Sequence, residues 1–206
     1  MMRQFFSLLL YLTMISASAD PQQTVFYSID APRSKLGIHV YREGLFKFLG
    51  HDHFIAAKNI SGTIKLDEAA IERSSVSFKV ESTSLTVVDP GVDEKELREV
   101  QEAMESERVL DAQRHREITF TSTTIAQAKS TTGRYELVLM GELNLHGVTR
   151  NISLPVHVQI AGNEIRAQGQ TELLQTDYNM KPIRVGGGTI KVKDKVKITF
   201  DIIALK

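Results

Sequence analysis

Cysteine and tryptophan are both absent from the 206 residues, and Lys+Arg equals Asp+Glu at 25 each. Without cysteine there is no disulfide framework, no thiolate-ligated zinc, no iron–sulfur cluster and no thiol nucleophile. With no basic excess, nothing offsets a phosphate backbone, and nucleic acid is excluded as a partner on electrostatic grounds. Aromatic residues are scarce, at 7%, whereas hydrophobic residues make up 42%. A chain this apolar with balanced charge folds rather than staying disordered, and its length fits one domain. No apolar run reaches the 18 residues of a bilayer-spanning helix.

One short apolar run is present at the start. Arg3 precedes Phe5–Ile15, and Ala17-Ser18-Ala19 follows. A cation, an apolar stretch of about ten residues and an A-x-A site together form a secretory signal peptide. Residues 1–19 are therefore expected to be removed, leaving a mature domain of residues 20–206 that begins at Asp20. Its lack of cysteine frees its folding from the redox state of the compartment. The expected class is an exported, periplasmic bacterial protein.

The rest of the chain alternates at period two, the signature of strands with one buried face. Val76, Phe78 and Val80 form one apolar set, and Leu137 and Leu139 a second. Ile152, Leu154, Val156 and Val158 form a third, and Val196, Ile198 and Phe200 a fourth. Less regular strands are expected over 24–30, 36–42, 59–66, 117–125 and 164–174. Thr132-Gly133, His146-Gly147, Gly162-Asn163 and Gly186-Gly187-Gly188 punctuate them as turns. Pro155 must lie near an edge or bulge, or have the N–H side of its strand unpaired. This is an all-β pattern of a barrel or sandwich. A single amphipathic helix is expected over about 93–110, with Asp93 as its cap, Glu96 three residues on, and Leu97, Val100, Met104 and Leu110 on one stripe.

The segment Gly141–Val156, GELNLHGVTRNISLPV, resembles the hallmark of the YceI-like family, G-x-L-T-x-H-G-V-T-K/R. Gly141, Leu143, His146, Gly147, Val148, Thr149 and Arg150 stand in that pattern, and Asn144 replaces the usual threonine. Tyr27-Ser28-Ile29-Asp30 with Ser34 is similar to the family's first strand. Glu117-Ile118-Thr119-Phe120 is similar to the strand after its helix, with Glu117 in place of proline. Gln175-Thr176-Asp177-Tyr178-Asn179 is similar to its R/Q-x-D-F-G segment, with Asn179 in place of glycine. Tyr41–His53 matches a branch with a G-H-D-H loop. The resemblance implies an eight-stranded, lipocalin-like antiparallel barrel, exported and holding a long isoprenoid in its lumen.

Under that reading the alternating apolar positions Phe78, Val80, Leu137, Leu139, Ile152, Leu154, Val156, Ile198 and Phe200 line the ligand. The partner is an isoprenoid or another long-chain amphiphile, exchanged by contact with a membrane, and no motif asks for a cofactor. From periodicity alone the same side chains could equally fill the barrel. His51 and His53 would project to one face of an extended segment and meet a phosphate or quinol head at the barrel mouth. They could also hold a metal with a third ligand from His39, His115 or His146, which spacing alone does not choose. No G-x-S-x-G elbow and no phosphate loop is present. Three classes stay open at this point: an amphiphile carrier for storage or transport, a metal-dependent enzyme at the His loop, and an interaction barrel with a filled lumen.

Overall fold

A computed structural model of the protein describes residues 24–44, 52–185 and 190–206. The expected signal segment 1–19, His51 and Gly186–Gly188 lie outside the described residues. The strands are β1 (Thr24–Ile29), β2 (Lys35–Glu43), β3 (His53–Ala57), β4 (Ile60–Asp67), β5 (Ser75–Glu81) and β6 (Leu85–Val87). After helix α1 (Glu94–Glu105) come β7 (Glu117–Thr131), β8 (Arg134–Leu145), β9 (Val148–Ala161), β10 (Glu164–Leu174), β11 (Arg184–Val185) and β12 (Ile190–Leu205).

Pairing turns these segments into a closed antiparallel barrel of eight staves. β4 pairs with β1 on one side and β5 on the other, while β3 pairs with β2 and β6. Thus β1/β2, β3/β4 and β5/β6 are three broken staves. β7, β8 and β9 follow in meander order, then β10, then β12. The ring closes where β12 pairs with β2 over most of its length and with β1 at Ser28↔Leu205 and Ile29↔Ala204. Among the described residues closure pairs the staves around the ring except on one side of the short β6, which limits the edge hazard of an all-β chain.

The breaks have local causes. Pro32 cannot donate to a ladder, and it sits in the 3-10 turn Ala31–Arg33, where the Asp30 side chain accepts from the Arg33 amide at 3.4 Å. The segments β3, β6 and β11 are too short to show a period, so alternation does not reveal them. Pro155 pairs opposite Val138 of β8, and the β9–β10 ladder ends one residue away, at Gly169↔Val156. Its missing N–H therefore falls just past the last rung on that side.

The helix is shorter than the sequence pattern predicts. It ends at Glu105 rather than near Leu110, because Ser106 turns into an extended conformation, with ψ 162°. Leu110 is buried all the same, carried inward by a turn in which its amide donates to the Met104 carbonyl at 3.1 Å. Asp93 caps the helix as expected, its carboxylate accepting from the amides of Lys95 and Glu96 at 2.9 and 3.0 Å. Leu97, Val100 and Met104 pack toward the core. Gln101 fills the place of a missing strand beside β6. Its Oε1 accepts from the Val87 amide at 3.0 Å, and its Nε2 donates to the Leu85 carbonyl at 2.8 Å. The short β6 has no ladder partner on the β7 side, so without Gln101 two backbone groups would lose their partners.

Candidate functional site

The barrel encloses a cavity of about 280 Å³ whose wall is built by residues from every stave. Phe78, Val80, Leu137, Leu139, Ile152, Leu154, Val156, Ile198 and Phe200 all stand on this wall. Leu36, Ile38 and Val40 of β2 join them, also at period two. Along β7 the apolar parity changes: Ile118 and Phe120 line the wall, and so does Ile125. The register shift between Ser122 and Thr124 inserts a bulge that returns the odd-numbered Ile125 to the lumen.

Two of the three aromatic rings on the wall, those of Phe120 and Phe200, lie along it and leave the lumen open. A Cβ on Gly141 would stand 2.7 Å from the Phe120 ring and 2.4 Å from the Thr121 carbonyl. A Cβ on Gly169 would stand 2.5 Å from both the Phe200 ring and the Pro155 carbonyl oxygen. Each ring thus occupies the space of a missing side chain on the neighbouring stave. This small–large pairing keeps two large residues from crossing the channel.

The two ends of the channel differ. Ile71, in the turn between β4 and β5, reaches the wall at one end. At the other end Met104, Leu110 and Met180, from the helix, the turn after it and the segment after β10, close over it. These three do not alternate with any strand, so sequence periodicity could not place them there.

Two of the segments that carry the family resemblance meet at that second end. His146 and Gly147 form the two-residue turn between β8 and β9, both in the left-handed region (φ 52° and 73°), as a type I′ hairpin requires. The His146 Nδ1–H donates to the Tyr178 carbonyl at 2.9 Å. Arg150 donates to the Asp177 carbonyl beside it. The G-E-L-N-L-H-G-V-T-R hairpin therefore clasps the Q-T-D-Y-N turn, where Asn179 adopts φ 59° in place of the family's glycine. Tyr178 is 1% exposed, and burial raises its phenol pKa above the usual value.

His53 starts β3 opposite Val40. Its Nδ1–H donates to Asp89 at 2.6 Å, and the other oxygen of the same carboxylate accepts from the Phe54 amide at 2.7 Å. With His39, Tyr41 and Phe54, the pair lines a second, more open depression outside the lumen. Asp52 accepts from the Arg42 amide at 3.0 Å. His51 lies outside the described residues, and the partner of His53 is a carboxylate that spacing did not point to. Of the three histidines considered as a third ligand, His39 lies against Phe54 with ring centroids 4.9 Å apart. His115 and His146 instead meet each other, at 5.1 Å.

Comparison with known proteins agrees with this architecture. BcnA of Burkholderia cenocepacia is similar in structure at 21% identity and TM-score 0.65, over 85% of this chain and 98% of that one. A polyisoprenoid binding domain from Saccharophagus degradans is similar at 15% identity and TM-score 0.59, over 87% and 97%. The YCEI protein of Campylobacter jejuni is similar at 14% identity and TM-score 0.55, over 74% and 84%. No curated protein matches the chain. The model of the YceI-like domain matches residues 27–204, from the first stave to the last, and the chain belongs to the YceI-like family.

Proposed function

We propose that the protein binds an isoprenoid or similar long-chain amphiphile in the barrel lumen and serves to store or carry it. The observation behind this reading is the apolar channel, which the chain's own side chains leave open although glycine–aromatic pairing could have been replaced by filling residues. An apolar wall offers nothing to a polar ligand, whereas each buried CH₂ of a hydrocarbon chain contributes about 0.8 kcal/mol. A cavity of about 280 Å³ is narrow, and a slender chain suits it better than a fused ring system. The similarity to a polyisoprenoid binding domain supports the same ligand class.

The polar end of such a ligand belongs where hydrogen-bonding groups border the barrel, and His53 with Asp89 is the candidate. The Asp89 carboxylate, 2.6 Å from the ring, repels an anionic head. A hydroxyl or other neutral head fits this pair better than a phosphate. Export belongs to the same reading: a mature N-terminus at Asp20 is expected. An intact mass of the exported protein that still includes Met1 would refute it.

Native mass spectrometry of protein from its own host, followed by uptake of a polyprenol by delipidated protein, tests the carrier. A retained lipid of several hundred daltons is expected. Leu154→Phe projects extra volume into the slot without adding charge and should lower uptake at least tenfold. Leu139→Asp buries a carboxylate in apolar surroundings and should cost about 3 kcal/mol or more of stability. Full uptake by a folded Leu154→Phe protein would mean that the chain binds elsewhere.

A further inference from the structure

We propose that Asp111, His115 and His146 form a binding site for a divalent first-row metal ion, Zn²⁺ being the best match, which pins the segment after the helix to the β8–β9 hairpin. The three offer one carboxylate oxygen and two imidazole nitrogens, all within 4.8 Å of one another. Tetrahedral zinc with bonds of about 2.0–2.1 Å needs ligand atoms about 3.4 Å apart, so side-chain adjustments of about an ångström complete the triangle. Three protein ligands with room for a water is a common zinc arrangement, and a set of two histidines and one carboxylate favours zinc and its neighbours over magnesium or calcium.

The surroundings are those of a held site. The Nδ1–H of His146 is committed to the Tyr178 carbonyl. In the neutral ring this leaves the lone pair on Nε2, the usual device by which a backbone carbonyl orients a metal-binding histidine. Asp111 is 7% exposed and takes a left-handed φ of 44°. Its amide donates to the Ser106 carbonyl at 2.8 Å, and its own carbonyl accepts from the amides of Arg114 and His115 at 2.9 Å each. This turn brings His115 Nε2 to 3.9 Å from the Asp111 carboxylate. Ser82 anchors the His115 backbone from β5's end, its hydroxyl donating to the His115 carbonyl at 2.5 Å.

Gly147 makes the approach possible. A Cβ there would stand 2.5 Å from Cε1 of His115. The ring thus rests on the hairpin backbone, edge-on to His146 at 74°. One cation already faces the carboxylate: the Arg114 guanidinium, 3.6 Å from Asp111 and 76% exposed. An arriving metal ion displaces this exposed arm into water at little cost.

Titration of untagged protein with Zn²⁺, read by calorimetry and by thermal unfolding, tests the site. One ion per chain is expected, with a rise in Tm of about 5 °C at a hundredfold excess over Kd. His115→Phe keeps a ring on Gly147, and Asp111→Asn keeps a residue that tolerates left-handed φ. Both variants should bind zinc at least tenfold more weakly and lose the Tm rise. Co²⁺ in place of zinc should give the strong visible absorption of a four-coordinate site in the wild type and not in either variant. Absence of binding by the wild type at micromolar zinc would overturn the proposal. So would wild-type affinity in both variants, which would place the ion on the remaining histidines. Should His115→Phe fail to fold, Asp111→Asn alone decides.

Discussion

The two ends of the barrel are built on different plans. At one end, Thr132-Gly133 and Gly162-Asn163 each close a hairpin in two residues, with Gly133 and Gly162 at φ 69° and 57°. The third turn there is also self-contained: Asp67 accepts from Ala69, Ala70 and Arg73, all within six positions of it. At the other end, separate segments are tied to one another over long stretches of chain. Gln101 reaches β6, Ser82 reaches His115, His146 reaches Tyr178, and Lys181 donates to the Arg108 carbonyl. The first end closes its hairpins by local turn chemistry, with Arg33 to Glu164 and Ser34 to Ile203 tying the start of the chain to its last strands, so its turn residues can be exchanged one at a time. The second is an assembly in which each residue depends on a segment tens of positions away. The clustered histidines His115 and His146 lie there.

The largest effect should come from the wall that joins the two ends. Gly141→Ala places a methyl group against the Thr121 carbonyl and the Phe120 ring. It should cost about 3 kcal/mol in urea unfolding and push the ring into the channel, lowering polyprenol uptake. A variant of wild-type stability with undiminished uptake would show that the ring has another place to go.

A paired experiment on the turns should separate the ends themselves. His146→Ala leaves the buried turn at Tyr178 without its donor and should cost about 2 kcal/mol. Asn163→Ala, in an exposed hairpin turn where only the backbone carbonyl of residue 163 accepts a bond, from Lys206, should fall within about 0.5 kcal/mol of wild type. Equal costs would remove the distinction drawn between the ends.

The smallest effect is one of pH, at the locally built end. The Arg73 side chain, hydrogen-bonded to Asp67, holds that carboxyl below its ordinary pKa, and the amides of Ala70 and Ala69 add to this. A depressed folded-state pKa contributes stability above the unfolded value of about 3.9, and that contribution is lost as pH falls through the folded value. Asp201, held down first by its bond to Arg166, acts in the same sense. Thermal scans from pH 5 to about pH 2 should fall less steeply for Asp67→Asn than for wild type. Parallel slopes would assign the acid limb to other carboxylates.

Much of the wall was legible in the sequence. Phe78, Leu139, Leu154 and Ile198 announce their side through period two, which holds wherever a strand is long and regular. Ile125 was not legible, because a bulge changes parity without any mark in the residue pattern. The helix stripe predicted Leu110 to be buried but misplaced the helix end, since a turn can carry an apolar residue inward as well as a helix can. His53 and His115 could be read only as histidines. The partners Asp89 and His146 lie on other segments, and Asp111 meets His115 from four positions away only because a turn folds the two together.

By itself the sequence determined the strand periodicity, the hairpin turns, the helix cap and the family, because these depend on residues within a few positions or on motifs read in order. Only the tertiary structure decided which rings lie over which glycines, what closes the channel, and which histidine meets which carboxylate. Most of those contacts join segments distant in the chain, and their geometry is set by barrel closure rather than by any local preference.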